Sequence, residues 1–169
     1  TLINAARPSR LGSGASPLYR RAMTERLFMA DAWLRHASAT VLAASPEGIV
    51  LDRTVFYARA GGQPGDTGRV VWDGGEAAIA DTFKGEGETI IHLPAPGAAL
   101  PPEGAAVTAV LDWDRRFAHM RMHTAMHLLC ATTAGAGVTG GAIGAERSRL
   151  DFDLPAPPPR EAIEERLNA

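Results

Sequence analysis

Cysteine is almost missing from this sequence, which contains Cys130 and no second cysteine. A lone thiol cannot form an internal disulfide, and it cannot build a cysteine-rich structural zinc site within one chain. Such usage is typical of a reducing compartment, and we therefore expect a cytoplasmic protein.

Long apolar runs and a dominant charge are also lacking. No stretch of about 18 consecutive apolar residues occurs, so we expect no membrane span and no membrane partner. The net charge of −2 neither requires nor excludes a nucleic-acid partner. With 46% apolar residues among 169, the chain can bury an ordinary core, as one domain or two small ones.

Residues 1–22 differ in composition from the rest of the chain. They carry four arginines, no acidic residue and a Gly-Ser-rich run at 12–16. No apolar segment of signal-peptide length follows the arginines. We predict that residues 1–22 form an extension that is poorly ordered.

Short segments of β-type residues, separated by turn residues, follow from about Met23 to Trp113. The Asp73-Gly74-Gly75 turn between two of them predicts a hairpin. The pattern predicts a small antiparallel barrel or sandwich. The predicted strands are residues 38–45, 48–52, 69–72, 77–83, 89–93 and 106–113.

The period of the apolar residues changes after Trp113. Phe117, Met122 and Met126 belong to a set that recurs at helical spacing, which predicts a helix over about residues 115–133. Five glycines between residues 135 and 144 predict a loop. A strand over residues 148–153 and a helix that begins at Pro159 complete the prediction.

The predicted helix contains two histidines, His123 and His127. A separation of four residues places both imidazoles on one helical face, and neutral imidazole is a good zinc ligand. Zinc needs at least three protein ligands, and a straight helix rarely brings His119 to the same ion as the other two. Cys130 is either a further ligand or a small core residue. Without other context, such a pair is more often structural than metal-binding.

A glycine-rich stretch and a group of arginines are further candidates for binding a ligand. The glycine-rich stretch 61–68 lacks the Gly-Lys-Ser/Thr of a phosphate-binding loop, but its glycines allow close backbone approach to a ligand. Gln63 within it can both donate and accept hydrogen bonds. An ordinary turn between strands explains the stretch equally well. Arg115, Arg116 and Arg121 could form a phosphate-facing patch, but for three arginines alone a solvated helix face is the better explanation.

Taken together, these segments resemble a known family. The stretch from Phe56 to Gly68, FYARAGGQPGDTG, and the stretch from His123 to Leu129, HTAMHLL, resemble the editing domain of alanyl-tRNA synthetase. They are most similar to the free-standing alanyl-tRNA editing proteins, the AlaX group. Residues 138–153 and the helix at Pro159 also match, in the same order.

The resemblance implies an α+β fold, in which a small antiparallel β-barrel subdomain (residues 23–113) precedes an α/β editing subdomain (residues 114–169). It implies hydrolysis of the ester that joins serine or glycine to tRNA(Ala), with the acceptor end of tRNA(Ala) as the partner. His123 and His127 correspond to the first two ligands of one zinc ion. The resemblance places Gly61, Gly62 and Gln63 near the cleft. Arg115, Arg116 and Arg121 are then the candidate contacts to the tRNA.

The preference for serine requires a group that recognises its hydroxyl, since a hydrogen bond discriminates better than size. Thr139 falls near a family position that serves this purpose, and Thr124 is a second candidate for substrate binding. Ala142 stands where related free-standing proteins often carry glutamine.

The sequence also departs from the family. The family completes its zinc site with a Cys-x-x-x-His motif downstream of the histidine pair, and no such motif precedes Ala169. We therefore expect a chain truncated relative to the family, with weak metal binding and little or no deacylase activity by itself. The alternatives are a non-catalytic or degenerate tRNA-binding module derived from the editing domain, and a metal-free structural domain.

Overall fold

A computed structural model of the chain describes residues 23–133, 135–156 and 158–168. The predicted extension, residues 1–22, lies outside them. In chain order the elements are β1 (Glu25–Arg26), α1 (Leu27–Ala30), β2 (His36–Ser45), β3 (Gly48–Leu51), β4 (Arg53–Thr54), β5 (Gly68–Trp72), β6 (Gly75–Lys84), β7 (Ile90–Pro94), β8 (Ala106–Leu111), α2 (Trp113–Thr132), β9 (Gly137–Ala142), β10 (Arg149–Asp153) and α3 (Arg160–Asn168).

Six of these strands form a closed antiparallel barrel. Its order is β2-β3-β7-β6-β5-β8, and it closes because β8 pairs with β2 as well as with β5. Val107, for example, lies opposite Ala39 on one side and Trp72 on the other. Closure leaves none of these six strands with an unpaired edge. The predicted α+β fold with an antiparallel barrel is confirmed, and the barrel, not the sandwich, is the correct alternative.

The barrel interior follows from strand alternation. Every second residue of β8, namely Val107, Ala109 and Leu111, points inward and is buried, because successive side chains of a strand face opposite sides. Phe56, which follows β4, fills the interior and is fully buried. The core thus holds the barrel together and fixes the chain that leads into the glycine-rich stretch.

One histidine belongs to this core. His92 Nδ1 donates to the carbonyl oxygen of Ile49 at 2.9 Å, and its Nε2 accepts from the Thr54 hydroxyl at 2.7 Å. The Phe56 ring meets the imidazole edge-on at 5.1 Å between centroids. Complete burial lowers the pKa of His92 from 6.5 to about 4, so this imidazole is neutral. Its role is structural.

Helix α2 begins directly after the barrel. The Asp112 side chain caps it by accepting from the Arg115 backbone N–H at 3.4 Å. Residues Arg116, His119 and Thr132 are its buried side chains. Helix α3 packs on its C-terminal end, where Arg166 Nη1 donates to the Thr132 carbonyl at 2.8 Å. Within the described ranges, neither α2 nor any other helix is long and apolar enough to cross a membrane.

The sequence-based prediction was wrong for the glycine-rich segment 135–144. Residues 137–142 form strand β9, which pairs antiparallel with β10 from Gly137↔Asp153 to Ala142↔Arg149. Glycine disfavours a strand by itself, but cross-strand hydrogen bonds offset that cost when a partner is present. Composition alone does not reveal the partner, and the segment therefore resembled a loop.

Candidate functional site

The site begins with a tight turn that leads into Gln63. Ala60 and Gln63 exchange backbone hydrogen bonds at 3.2 and 3.0 Å, and the two residues between them, Gly61 and Gly62, have φ of +57° and +80°. Positive φ at both central positions of a turn favours glycine. The turn directs the Gln63 side chain inward, where the residue is only 5% exposed.

Gln63 contacts His123, the first histidine of the pair, across sixty residues of sequence. Its Oε1 lies 2.8 Å from Nδ1 of His123 on α2. In this orientation of the Gln63 amide the carbonyl oxygen faces the ring and can only accept, so Nδ1 of His123 carries the proton and Nε2 keeps its lone pair. This contact therefore selects the tautomer in which Nε2 can bind a metal or accept a proton.

His127 lies beside His123 at the next helical turn. The two rings are nearly parallel, at 15°, with centroids 5.0 Å apart. Burial, and then the proximity of His127, lower the pKa of His123. A neutral imidazole with an open Nε2 has the chemistry that a zinc ligand requires, so His123 fits one position of a zinc site, and His127 lies beside it as a second candidate.

The other two candidates do not complete a ligand set. Nowhere in the described ranges do three or more His, Cys, Asp or Glu residues cluster as a metal site would require. His119 is buried one turn before His123, and burial together with Arg115 and Arg116 lowers its pKa. Cys130 is a half-buried free thiol. Within the described ranges, no third candidate ligand therefore joins His123 and His127.

The glycine-rich loop is attached to the first turn of α2 by an ion pair. Asp66 and Arg116 are 1% and 4% exposed, and Arg116 Nη1 donates to Asp66 Oδ2. The same carboxylate oxygen accepts from the Tyr57 backbone N–H at 2.7 Å. Burial raises the pKa of the Asp66 carboxyl, and Arg116 opposes that effect. Arg115 Nη1 donates to the Gly65 carbonyl at 2.8 Å.

Two of the three arginines predicted to contact tRNA therefore hold the loop. Arg116 is buried against Asp66, and half-buried Arg115 binds loop backbone. Arg121 differs, because it is exposed and its guanidinium lies 5.9 Å from the centre of the Phe117 ring. Arg121 is thus the member of the set that solvent and ligands reach.

The turn also contacts the hairpin that β9 and β10 form. The Ile143 backbone N–H donates to the Gly62 carbonyl at 2.9 Å, and a Cβ at Gly62 would lie 2.9 Å from the Gly141 carbonyl oxygen. A groove of about 430 Å³ opens here, bounded by Gln63, Ile143 and residues of the turn. Thr139 is exposed on β9, the strand that ends at this contact.

Gly61 and Thr124 are less closely tied to the histidine pair. Gly61 is exposed, and a Cβ built on it would meet nothing within 4 Å. The Thr124 hydroxyl donates back to the Met120 carbonyl at 3.1 Å. Thr124 lines a different groove, of about 330 Å³, together with Trp33 and other residues of the α2 surface.

Asp66 was the residue that the sequence-based reasoning overlooked. The sequence analysis assigned it no role within the glycine-rich stretch, whereas the structure buries it in an ion pair. The available signal was the combination of this acid with two adjacent arginines on an amphipathic helix. Only a pairing across fifty residues gives that combination its meaning.

Comparison with known proteins adds an independent result. A family model described as tRNA synthetases class II (A) matches residues 15–115. The alanyl-tRNA editing protein AlaX-M of Methanosarcina mazei is 43% identical over 145 residues, which are 79% of this chain and 57% of that protein. The alanyl-tRNA editing protein AlaX-L of Pyrococcus horikoshii is 39% identical over 113 residues, covering 64% of this chain and 28% of that protein.

A full-length ligase shows the same likeness. Alanine–tRNA ligase of Pyrobaculum arsenaticum is 38% identical over 157 residues, which are 86% of this chain but 17% of the ligase. The chain spans less than three fifths of the length of the AlaX-M protein from Methanosarcina mazei.

Proposed function

Because this chain belongs to the class II (A) tRNA synthetase family and is related to its alanyl-tRNA editing proteins, we propose that it takes part in editing tRNA(Ala). The reaction is hydrolysis of the ester that joins a wrong amino acid, serine or glycine, to the acceptor end of the tRNA. The observation that carries this proposal is the hydrogen bond between Gln63 and His123, because it joins the glycine-rich turn to the histidine pair.

The proposed chemistry follows from the tautomer that Gln63 selects. With its proton held at Nδ1, His123 presents Nε2, and His127 adds a second imidazole from the same helical face. These two nitrogens would hold one zinc ion. Zinc supplies Lewis-acid chemistry, which activates water or polarises an ester carbonyl. Gln63 keeps His123 oriented while the substrate enters and leaves.

The turn and the β9–β10 hairpin form the proposed substrate side of the site. The groove beside Gln63 and Ile143 would receive the aminoacyl group, and the exposed hydroxyl of Thr139 would recognise the serine side chain. A hydrogen bond to that hydroxyl would also spare correctly charged alanyl-tRNA. Exposed Arg121 would contact the phosphates of the acceptor end.

A second candidate function is a tRNA-binding module without catalysis. The observation in its favour is that the described ranges bring no third metal ligand to His123 and His127. Two imidazoles hold zinc weakly. For the same reason, we expect slow hydrolysis by this chain alone even if the editing proposal is correct.

The test is single-turnover deacylation with the chain in excess over Ser-tRNA(Ala), Gly-tRNA(Ala) or Ala-tRNA(Ala), with Zn²⁺ added. The editing proposal expects faster hydrolysis of the serine or glycine ester than of the alanine ester, and loss of the difference in His123→Ala and His127→Ala. Tight binding of tRNA(Ala) with no hydrolysis would favour the binding module. Absence of both would contradict both candidates.

The zinc assignment has its own measurement. Zinc content after dialysis, and Zn²⁺ affinity by competition with a chromophoric chelator, should both fall in His123→Ala and in His127→Ala. His36→Ala is a matched control, because His36 is an exposed histidine on the barrel. Equal zinc content in all of these variants would remove the histidine pair from the proposal.

A further inference from the structure

We propose that Arg116 is a positioning residue, which holds Gln63 at the histidine pair through its buried ion pair with Asp66. The inference rests on the proposed function for the reaction that the pair serves, but its geometry involves only residues of this chain. Arg116 and Asp66 are not expected to touch the substrate, since both are buried.

The glycine-rich loop is attached to α2 at two points. Asp66 binds Arg116, and Gln63 binds His123. Arg116 and His123 are seven residues apart, so they lie on the same helical face, about 10 Å apart along the axis. The spacing of three residues in the loop thus matches a spacing of two turns in the helix.

The loop backbone has little conformational freedom between Gln63 and Asp66. Pro64 follows Gln63 and has a fixed φ. Arg115 binds the Gly65 carbonyl, and a Cβ at Gly65 would collide with the Thr82 carbonyl oxygen, so the loop backbone lies directly against the barrel. A shift of Asp66 is therefore transmitted to the Gln63 side chain.

Aromatic rings surround the guanidinium of Arg116. The Arg116 guanidinium lies 5.5 Å from the centre of the Tyr57 ring and 5.9 Å from that of Phe28, so aromatic rings help to orient it. A lysine ammonium has no planar fork to present in this way. The ring contacts limit the directions in which the ion pair can move.

Stability alone does not account for the ion pair between Asp66 and Arg116. Asp66 Oδ1 and Arg116 Nε are buried without a hydrogen-bond partner in the described part of the chain, which is a cost. An apolar pair of similar volume often stabilises a fold as well as a buried ion pair does. An apolar replacement would lose the directional contact between Asp66 and Arg116, and that contact is what holds Gln63 in its orientation.

The experiment compares two double variants by the tautomer of His123. Asp66→Asn with Arg116→Met removes both charges but keeps an oxygen for the Tyr57 N–H. Arg69→Met with Glu76→Gln is the matched control, because it removes an exposed ion pair of 3.7 Å on the barrel with the same change of charges. The readout is ¹⁵N NMR of the imidazoles at a pH well above the ordinary histidine pKa of about 6.5.

The unmodified chain and the control are expected to show His123 with its proton at Nδ1 alone. The D66N/R116M variant is expected to show a mixture of tautomers, while the amide signals of the barrel strands stay in place. Its Zn²⁺ affinity should fall about tenfold, as for other groups that support a metal ligand indirectly. A single Nδ1–H tautomer in the folded D66N/R116M variant would overturn the proposal.

A second variant decides the matter if D66N/R116M does not fold. Pro64→Gly keeps the ion pair but loosens the link between Asp66 and Gln63, so His123 should again show both tautomers. An unchanged tautomer in Pro64→Gly would overturn the proposal. These spectra require no tRNA. If the His123 tautomer changes in these variants but the chain neither edits nor binds tRNA, the positioning role stands and the proposed function is rejected. If the chain edits tRNA(Ala) but the tautomer does not change in the variants, only the positioning role is rejected.

Discussion

The barrel and the helix that follows it contain histidines in opposite situations. In the barrel, His92 is fully buried, and both ring nitrogens are bonded to protein. On α2, His123 is half-buried with one nitrogen bonded to Gln63, and His127 is exposed. The same residue type is therefore structural where both nitrogens are occupied, and available for chemistry where one nitrogen is left open.

The two regions also differ in how they are held together. The barrel has a continuous apolar core around Phe56, whereas α2 buries Arg116, His119 and Thr132 among its twenty residues. Apolar packing is non-directional, but an ion pair or a hydrogen bond has a direction. The barrel accordingly supplies stability, and the polar contacts at its junction with α2 supply orientation.

The largest expected contrast is between a core residue and a site residue. Phe56→Ala should lower the free energy of unfolding by about 3–5 kcal/mol, because it leaves a cavity in the barrel. His127→Ala should change it by no more than about 0.5 kcal/mol, since His127 is exposed. Urea denaturation followed by circular dichroism measures both values. Similar losses of unfolding free energy in Phe56→Ala and His127→Ala would show that the barrel core does not contribute more stability than the α2 surface.

Acid should reveal the difference between the two kinds of histidine. Above the ordinary histidine pKa of 6.5, His92 is neutral in the folded and the unfolded chain. Between 6.5 and about 4, only the unfolded chain takes up the proton, so stability falls as pH falls. The full loss is about 3 kcal/mol by the usual conversion of a pKa shift.

This pH dependence is measured by urea denaturation over that window. His92→Gln should reduce the slope, because it removes a fully buried titrating group, while His119 and His123, whose pKa values burial also lowers, supply a remainder. An undiminished slope in His92→Gln would assign the acid sensitivity to groups other than His92.

Two glycines at turns distinguish backbone strain from crowding at the site. Gly62 has φ of +80° and Gly74, in the β5–β6 hairpin, has φ of +96°. Alanine at Gly74 meets nothing within 4 Å, so strain alone should cost about 1–2 kcal/mol. Gly62→Ala adds a contact of 2.9 Å with the Gly141 carbonyl oxygen, which should also separate the turn from β9.

Thermal unfolding gives the stability of the two glycine variants, and amide exchange at Ile143 reports its bond to Gly62. Faster exchange at Ile143 is expected in Gly62→Ala but not in Gly74→Ala. Unchanged exchange at Ile143 in both variants would mean that the turn at Gly62 does not stabilise the β9–β10 hairpin.

The smallest expected effect on stability is at Arg121. Arg121→Ala should change the free energy of unfolding by less than about 0.5 kcal/mol, because the side chain is exposed. It should weaken tRNA binding and reduce the salt dependence of that binding by about one phosphate contact. Fluorescence anisotropy with labelled tRNA(Ala) over a range of salt concentrations measures this, with exposed Arg69→Ala as the control. Equal salt slopes for the two variants would exclude Arg121 from the RNA surface.

Local patterns in the sequence predicted much of this architecture. The strands of the barrel, helix α2, strand β10 and helix α3 each follow from residue periodicity and turn residues. The spacing of His123 and His127 placed them on one helical face, and their rings do lie side by side. Such features depend on neighbours in the chain, which is why a sequence without a structure reveals them.

Contacts between distant residues were beyond such reasoning. Strand β9 exists because β10 pairs with it, and its glycines predicted a loop. The contact of Arg116 with Asp66, fifty residues earlier in the chain, was likewise not predicted from local pattern.

By itself, the sequence determined the strand and helix periods, the two imidazoles on α2, and the glycines that permit a turn before Gln63. Only the tertiary structure decided that Gln63 holds the Nδ1 proton of His123, and that Arg116 belongs to the loop. The physical reason is that periodicity is encoded locally, whereas a tautomer or an ion pair depends on which groups the fold brings within about 3 Å.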